Sequence, residues 1–447
     1  MTQNLRNLGV IFFPAYDWAI SPTHPEREER LLYTQDQLLE EGLFDLPNIT
    51  EFKPAVATYN DIDRVHYCFP DAKKVSTESH LVAAGGAIKA ARLVMEKQVD
   101  KAFAMVRPPG HHAMKVVHGN RGFCNINNEA VMIEFIRENY GRKKIAVVDT
   151  DCHHGDGTQD IYWHDPDVLF ISMHQDGRTL FPGTGFGDEL GGPSARGRTI
   201  NLPLPPNTSD EGILYVYDNL IQPILADFKP EIIINSAGQD SHYSDPITNM
   251  SVSTQGYARL NEKLNPDIAV LEGGYSIQSV LPYVNLAVLM AMAGLDYSHV
   301  VEPDYNRKKL CQSQQITDYL EKLCATTLKS YFQPAPLNVK LNQYDTRIKN
   351  IYYDTDGISD QQVEQVMVCS NCSGVRHLTS KTDRGTSCMG IEIPIDACPR
   401  CREEGYRLLA ESRRNFKGSA IKFINRLDKE YLTVNEFELT PTGRYYF

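Results

Sequence analysis

The first two thirds of the sequence alternate short apolar, β-rich runs with longer amphipathic stretches. This alternation is typical of βαβ units, in which parallel strands lie buried between two layers of helices. Strands are predicted at Leu8–Phe13, Lys101–Arg107, Ile145–Asp151, Val168–His174, Thr199–Pro203, Glu231–Ala237 and Ile268–Glu272. Helices are predicted at Glu78–Lys97, Asn128–Tyr140, Glu211–Asp227, Thr254–Leu264 and Ile277–Ala293. The pattern therefore predicts one α/β domain over residues 1–301.

Composition and charge narrow the class of protein further. Of the 447 residues 42% are hydrophobic and 23% are charged, which is typical of an ordinary globular chain. The richest apolar stretch, Ser279–Gly294, contains Pro282 and Asn285 and is shorter than the roughly 18 residues that a membrane span needs. No convincing signal peptide precedes the first strand, so we expect a cytoplasmic protein without a membrane partner. The net charge of −12 argues against direct binding of nucleic acid.

The last third of the chain reads differently. Residues 302–360 are predicted to be a helical and linker segment, with a helix at Ser313–Tyr331 and a polar stretch up to Asp360. Residues 361–447 are predicted to form a small unit with short strands, including Tyr431–Val434 and Arg444–Phe447. Such a small unit has little apolar core and needs an additional source of stability.

Two cysteine pairs in this last unit suggest that source. Cys369 and Cys372 are separated by two residues, as are Cys398 and Cys401. This ribbon-like spacing favours a structural zinc ion with four thiolate ligands. Cys388 and His377 are less favoured as ligands. The zinc ribbon could serve to fold the tail or to dock a partner or substrate.

Acidic and imidazole groups follow one of the predicted strands. Asp149, Asp151 and His153 alternate along the segment, so in extended backbone they share one face. Two carboxylates and an imidazole suit a divalent metal. The alternative is a polar strand end in which each group caps a neighbouring turn.

A second strand end supplies a further candidate ligand. Asp240 follows a core strand, and charge is rarely buried there unless it is paired or bound to a metal. Three protein ligands would leave one position open, as in catalytic zinc sites.

Two further strand ends carry groups suited to catalysis. The prolines and Gly110 after the strand Lys101–Arg107 present the adjacent imidazoles of His111 and His112. Tyr275 follows two glycines, which give its backbone the freedom to turn the phenol toward the site. Surface histidines in a loop are the alternative for the His pair.

These motifs together resemble zinc-dependent histone deacetylases and acetylpolyamine amidohydrolases, which share the arginase/deacetylase fold. The resemblance covers about residues 8–300 with several motifs in the same order. The motifs are Arg107–Ala113, Asp149–Gly157, Phe181–Gly185, Ala237–Asp240 with Asp245-Pro246, and Leu271–Tyr275.

The resemblance implies a role for each of these groups. Zinc would be held by Asp151, His153 and Asp240. His112 would be the general base and later the acid, oriented by Asp156. His111 would pair with Asp149 as an electrostatic partner. Tyr275 would donate its hydroxyl to the developing oxyanion.

The resemblance also implies how a substrate is held. Phe123 and Phe181 would form the walls of a narrow tunnel, and the Gly122 carbonyl would accept the substrate amide N–H. Ile247 would stand at the tunnel mouth, where a polyamine-selective relative has Glu. A structural K⁺ close to the zinc would use Asp149, Asp151 and Ser172. The acid that clamps substrate at the rim in relatives has no secure match, and Asp71 is only a guess.

Four functions compete on this sequence. The first is hydrolysis of acylated lysine side chains in proteins, and the second is hydrolysis of small acetylated polyamines. An arginase-like ureohydrolase needs two Mn²⁺ and an acid where this chain has His242. A non-catalytic acyl-lysine binder would not require the intact His pair and Tyr275. The apolar Ile247 favours the first function, while the acyl group, the target protein and the oligomeric state stay open.

Overall fold

The computed structural model describes residues 5–13, 21, 23–27, 29–303, 305–307, 310–334 and 339–435. No helix in these ranges is long and apolar enough to cross a membrane. The predicted strand Arg444–Phe447 lies outside the described residues.

An eight-stranded parallel sheet organises the N-terminal part. The strands in chain order are β1 Leu8–Phe12, β2 Ile49–Phe52, β3 Tyr67–Cys68, β4 Lys101–Met105, β5 Val116–Val117, β6 Ile145–Asp149, β7 Val168–Gln175, β8 Thr199–Leu204, β9 Ile232–Ala237 and β10 Ile268–Leu271. The sheet has the order β2-β1-β4-β10-β9-β6-β7-β8, and β3 pairs with β5 separately. The central strands are almost wholly apolar and buried, as expected of a sheet covered on both faces. The predicted α/β class is confirmed.

Helices cover this sheet. They are α1 Glu29–Glu40, α2 Tyr59–Asp63, α3 Ala72–Val75, α4 Glu78–Met95, α5 Asn128–Tyr140, α6 Asp156–Tyr162, α7 Asp210–Val216, α8 Gln222–Phe228, α9 Thr254–Leu264 and α10 Leu281–Ala293. A π-helical turn, Tyr217–Ile221, joins α7 to α8. A short 3₁₀ turn spans Leu43–Asp45. Side-chain caps begin several helices, for example Ser253 Oγ, which accepts from the Gly256 N–H at the start of α9.

The C-terminal part builds a sheet of its own, here called the C-terminal sheet. After helix α11 Gln314–Phe332, its strands are β11 Tyr344–Tyr353, β12 Ile358–Met367, β13 Arg376–Thr382, β14 Ser387–Ile393, β15 Ala420–Asn425 and β16 Glu430–Asn435. Neighbouring strands are antiparallel except β14 and β15, which are parallel and connected through helix α12 Pro399–Asn415.

Several elements differ from the sequence prediction. The edge strand β2 and helix α1 were not predicted. Strand β11 and the start of β12 occupy residues that the sequence assigned to a linker before residue 361. β11 lies at the edge of its sheet with alternate side chains exposed, so its composition is polar and resembles that of a loop. The division into segments 1–301, 302–360 and 361–447 otherwise stays a prediction.

The C-terminal sheet packs directly on the N-terminal part. Tyr67, Phe69 and Val116 form one apolar cluster with residues of β13 to β15. Buried ion pairs join the two parts through Lys115 and Glu392, Asp160 and Lys349, and Glu134 and Arg426. The contact therefore combines a small apolar centre with buried charge pairs.

Candidate active site

Four adjacent strands in the middle of the sheet, β4, β10, β9 and β6, end at the same edge. The segments that follow them bring together the residues that the sequence singled out. His111 and His112 follow β4, Tyr275 follows β10, Asp240 follows β9, and Asp151 and His153 follow β6. Ligands in open parallel sheets bind outside this carboxyl edge, so the site lies where the fold predicts it.

Asp151, His153 and Asp240 form a buried group whose ligand atoms lie within 4.8 Å of one another. His153 Nδ1 is 3.2 Å from Asp151 Oδ1 and 2.9 Å from Asp240 Oδ2. The other carboxylate oxygens are held by backbone donors: Gly273 N–H lies 2.7 Å from Asp151 Oδ2, and Cys152 N–H lies 2.7 Å from Asp240 Oδ1. One oxygen of each acid and one ring nitrogen therefore face a common point, which fits a divalent metal ion.

Gly273 is needed for this close approach. A Cβ at that position would stand 2.4 Å from Asp240 Oδ2 and 2.6 Å from Asp151 Oδ2. Any side chain there would displace both carboxylates. The glycine after strand β10 therefore belongs to the site, as a structural requirement of its geometry.

The electrostatics of this group favour a bound cation. Burial, together with the charge of Asp151, raises the pKa of Asp240. Although burial opposes it, hydrogen bonds to Asp151 and Asp240 raise the pKa of His153 to about 10. Two buried carboxylates this close need a compensating positive charge, which a metal ion would supply.

The two adjacent histidines each pair with a different acid. His111 Nδ1 lies 3.1 Å from Asp149 Oδ2, and His112 Nδ1 lies 2.8 Å from Asp156 Oδ1. A carboxylate can only accept, so each Nδ1 carries the hydrogen. Arg121 also binds Asp156, through Nε at 2.8 Å and Nη2 at 2.5 Å from Oδ2. The pairs that the sequence predicted are therefore present, and Arg121 is an addition.

The environments of the two rings push their pKa values apart. Although burial opposes it, the charges of Asp151 and Asp149 raise the pKa of His111 well above its ordinary value. Burial and the nearby charge of His111 lower the pKa of His112 to about 3. His112 is therefore neutral near pH 7, and its Nε2 is available to accept a proton.

Tyr275 is buried, and burial raises its pKa well above the ordinary value. Its hydroxyl therefore keeps its proton and can donate a hydrogen bond. Asp245 Oδ2 accepts from the Tyr275 backbone N–H at 2.8 Å, and Asp245 Oδ1 accepts from the Ile247 N–H at 3.0 Å. One carboxylate thus ties Tyr275 to the segment containing Ile247.

Arg30, which the sequence did not single out, supports the turn before Tyr275. Its Nη2 donates to the Glu272 carbonyl at 2.6 Å, and its Nε donates to the Gly274 carbonyl at 3.0 Å. Glu26 accepts from both Arg30 and Arg107. No local motif marks Arg30, because it lies in a helix rich in charged residues and meets the site only through the tertiary fold.

Aromatic rings flank the approach to the histidines. The Phe181 ring centre lies 5.2 Å from that of His112, and the Phe123 ring centre lies 5.6 Å from that of Tyr275. Gly122 and Phe123 both have left-handed backbone, with φ of +50° and +70°. Phe181 therefore lies against His112 and Phe123 lies against Tyr275, and their role as tunnel walls stays a prediction.

The family model for the histone deacetylase domain matches residues 71–291. A probable deacetylase of Archaeoglobus fulgidus is 43% identical over 324 residues, which cover 66% of this chain and 89% of the relative. The acetoin utilization protein AcuC of Bacillus subtilis is 31% identical over 335 residues, covering 67% of this chain and 86% of the relative.

A solved structure gives the same result. The crystal structure of the HDA15 HD domain aligns with a TM-score of 0.63 and 26% identity, covering 73% of this chain and 97% of that structure. The chain belongs to the histone deacetylase family. It is a hydrolytic deacetylase, as the resemblance in the sequence indicated.

The remaining predicted residues of this deacetylase are the K⁺ ligands and Asp71. Asp149 and Ser172 stand opposite each other on β6 and β7, beside Asp151, so the proposed K⁺ ligands are neighbours. Ser172 Oγ also lies 2.9 Å from His174 Nδ1. Asp71 caps helix α3 by accepting from the Lys74 N–H. Its role at the tunnel rim stays a prediction.

The deacetylase has a second group of potential metal ligands in its C-terminal sheet. Cys369, Cys372, Cys398 and Cys401 have sulfur atoms within 4.8 Å of one another, and Cys369 Sγ lies 3.7 Å from Cys398 Sγ. Four converging thiols fit a structural zinc ion in a zinc-ribbon unit. Cys388 lies beside His118 instead, and His377 pairs with Gln365, so neither belongs to this group.

Proposed function

We propose that this protein is a zinc-dependent deacetylase that hydrolyses the amide of acylated lysine side chains in proteins. The observation that carries the proposal is the convergence of Asp151, His153 and Asp240, with the ring of the neutral His112 centred 6.0 Å from that of His153. A zinc ion held by the three ligands would polarise the amide carbonyl and make water easier to ionise.

The residues of the chain supply the proton transfers. His112 accepts a proton from the attacking water at Nε2, while Asp156 holds its Nδ1–H and stabilises the imidazolium that forms. The same proton then passes from Nε2 to the nitrogen of the leaving amine. Arg121 and His112 both contact Asp156. Burial opposes ionisation of Asp156, but the charge of Arg121 lowers the pKa of this acid and keeps it ionised.

Tyr275 stabilises the transition state. Its buried hydroxyl donates a hydrogen bond to the carbonyl oxygen as negative charge develops there, and the Asp245 carboxylate and Arg30 hold its backbone in place. Phe123 and Phe181 exclude water from the aliphatic part of the substrate, and the Gly122 carbonyl accepts the amide N–H. K⁺ held near Asp149, Asp151 and Ser172 would add positive charge behind the ligands.

A protein substrate is favoured over a small acetylated polyamine by one residue. Ile247 is half-buried and follows Asp245, which also holds Tyr275, so it stands close to the catalytic tyrosine. An apolar side chain there offers contact area and no opposite charge for a second ammonium group. A two-metal ureohydrolase is disfavoured because His242 pairs with Glu302 at 3.1 Å. A cytoplasmic location remains part of the proposal.

The test compares two substrates on the full chain with zinc supplied. Acetate release from an acetyl-lysine peptide and from N8-acetylspermidine is measured as kcat/KM, with His112→Ala as the inactive control. We expect the higher kcat/KM for the peptide. Preference for acetylspermidine would overturn the substrate assignment, and no acetate release from either would overturn deacylation by this site.

A further inference from the structure

The C-terminal sheet reaches the candidate active site through one turn. The last two residues of β11 and the turn that follows them, residues 352–357, are here called the hairpin turn and lie against loop 119–123, which contains Gly122 and Phe123. Asp356 Oδ2 accepts from the Asn120 N–H at 2.6 Å, and Asp354 Oδ1 accepts from the Gly122 N–H at 2.9 Å. Two side chains of the C-terminal part thus bind the backbone of a loop beside His112.

Loop 119–123 has a backbone that needs external support. Gly122 and Phe123 are consecutive residues in the left-handed region, which non-glycine residues such as Phe rarely adopt. A Cβ on Gly122 would stand 2.4 Å from His112 Cδ2 and 2.7 Å from Phe181 Cε1. The loop therefore lies directly on the His112 ring, and a shift of its backbone would move Phe123 and change the contact with Phe181.

A third contact links the hairpin turn to His112 and Asp156, the pair that carries the proton transfer. Arg121 donates from Nη1 to the Tyr352 carbonyl at 2.6 Å while its Nε and Nη2 bind Asp156. Asp156 in turn holds His112. The hairpin turn therefore reaches His112 along two routes, through the loop backbone and through Arg121.

The strand before the turn is itself firmly held. Tyr353 is buried and donates its hydroxyl to the Val116 carbonyl at 2.7 Å. Lys349 Nζ lies 2.6 Å from Asp160 Oδ1. Asp160 belongs to the short helix α6, which begins with Asp156. A turn mounted on such a strand can fix the loop because its own position is set by buried contacts.

We propose that the C-terminal sheet completes the active site, and that Asp354 is a positioning residue that holds Gly122 and Phe123 in their catalytic conformation. This inference rests on the proposed function for its kinetic effect. Asp354 does not touch the reacting atoms. It acts by keeping the Gly122 carbonyl and the Phe123 ring at the distance from His112 that the substrate requires.

The kinetic test uses the full chain with Asp354→Ala and Asp354→Asn. Misplacement of catalytic groups by about 1 Å costs about 100-fold in rate, so we expect Asp354→Ala to lower kcat by about tenfold to 100-fold. The amide oxygen of Asn can still accept from the Gly122 N–H, so Asp354→Asn should recover most of that loss. Asp345→Ala, near the start of the same strand β11, is the matched control and should retain the wild-type kcat.

A second measurement does not depend on turnover. Hydrogen exchange of the peptide containing residues 119–123 should be faster in Asp354→Ala than in the wild type and unchanged in Asp345→Ala, at equal melting temperature. A kcat within twofold of wild type in Asp354→Ala, or unchanged exchange in that peptide, would overturn the proposal. If the wild type releases no acetate from any acylated substrate, the proposed function fails, and the exchange result alone decides whether Asp354 holds the loop.

Discussion

The guanidinium carbon of Arg30 lies 4.9 Å from the centre of the Tyr275 ring. The same guanidinium donates to the backbone carbonyls of Glu272 and Gly274, so one side chain supports both the phenol and the turn that carries it. Glu26, buried beside it, balances the charge of Arg30. The position of Tyr275 is therefore set from the interior of the protein by a residue more than 240 positions earlier in the chain.

Arg30→Lys should lower kcat while largely preserving the fold. Lysine keeps the positive charge beside Glu26 but cannot donate in two directions as the planar guanidinium does. We expect kcat to fall about tenfold because the position of Tyr275 is less well fixed, with a smaller change in KM. Steady-state kinetics alongside Arg27→Lys, a half-buried position near the same helix, provide the comparison. Equal kcat in both variants would argue against this support.

Tyr275→Phe should remove most of the turnover and leave the protein folded. The variant loses one hydrogen-bond donor to the developing oxyanion, which typically costs about 100-fold to 1,000-fold in kcat. Metal content and melting temperature should match the wild type because Tyr275 is not a ligand. Tyr283→Phe, on helix α10, is the control for loss of a hydroxyl. Near-full activity of Tyr275→Phe would remove the oxyanion role.

Metal analysis should distinguish two zinc sites in the same chain. The wild type should bind two zinc ions, one at each group of converging ligands. Asp240→Ala should lose the ion near His112 and with it the activity, while Cys369→Ser with Cys398→Ser should lose only the ion of the C-terminal sheet. Elemental analysis of the purified variants decides the assignment. Two ions retained in the cysteine variant would contradict the four-thiol site.

Ile247→Glu should shift substrate preference toward polyamines. The new carboxylate would lie near Tyr275, where a second ammonium group of acetylspermidine can pair with it. We expect the ratio of kcat/KM for N8-acetylspermidine to that for an acetyl-lysine peptide to rise by at least about tenfold, the effect of 1.4 kcal/mol. Ile247→Gln controls for size and polarity without charge. A ratio unchanged by Glu would place residue 247 away from the substrate.

Lys115 should make stability depend on pH in the alkaline range. Burial, assisted by the charges of Arg426 and Arg376 and opposed by Glu392, lowers the pKa of Lys115 from 10.5 to about 7. Between these values the unfolded chain holds a proton that the folded protein releases, so Lys115 adds to the free energy of unfolding as pH rises from about 7 to 10.5. The contribution is lost again as pH falls toward 7.

Urea unfolding of the wild type and Lys115→Met over this range isolates the effect. The difference in unfolding free energy between the two should change by up to about 1.4 kcal/mol per pH unit, with the wild type gaining as pH rises. Lys143→Met, an exposed lysine paired with Glu231, should follow the wild type. A difference of the opposite sign would show that Lys115 stays charged in the folded protein.

Local patterns predicted much of the N-terminal part. Helices Asn128–Tyr140 and Thr254–Leu264 begin and end where their caps and periodicity indicate, and the strand ends that carry Asp151 and Asp240 converge as a parallel sheet requires. These features depend on residues close in sequence. The topology of parallel sheets then brings their carboxyl ends together without further information.

Arg30, Arg121 and Asp354 could not be found in the same way. Each is an ordinary charged residue in its local sequence, and each acquires its role from a contact with a residue far away in the chain. Strand β11 was missed for a related reason, since its polar, half-exposed pattern matches a loop until β12 pairs with it. Tertiary partners decide such cases, and local propensity does not.

The charge pairs that join the C-terminal sheet to the N-terminal part also limit how accurately the two must meet. An apolar contact is non-directional and tolerates sliding, but a buried charge displaced from its partner costs about 3 to 5 kcal/mol. A sheet shifted by one residue would separate Arg426 from Glu134 and Lys349 from Asp160 at once. Alternative alignments of the two parts are therefore unstable, and the hairpin turn packs against loop 119–123 in a single register.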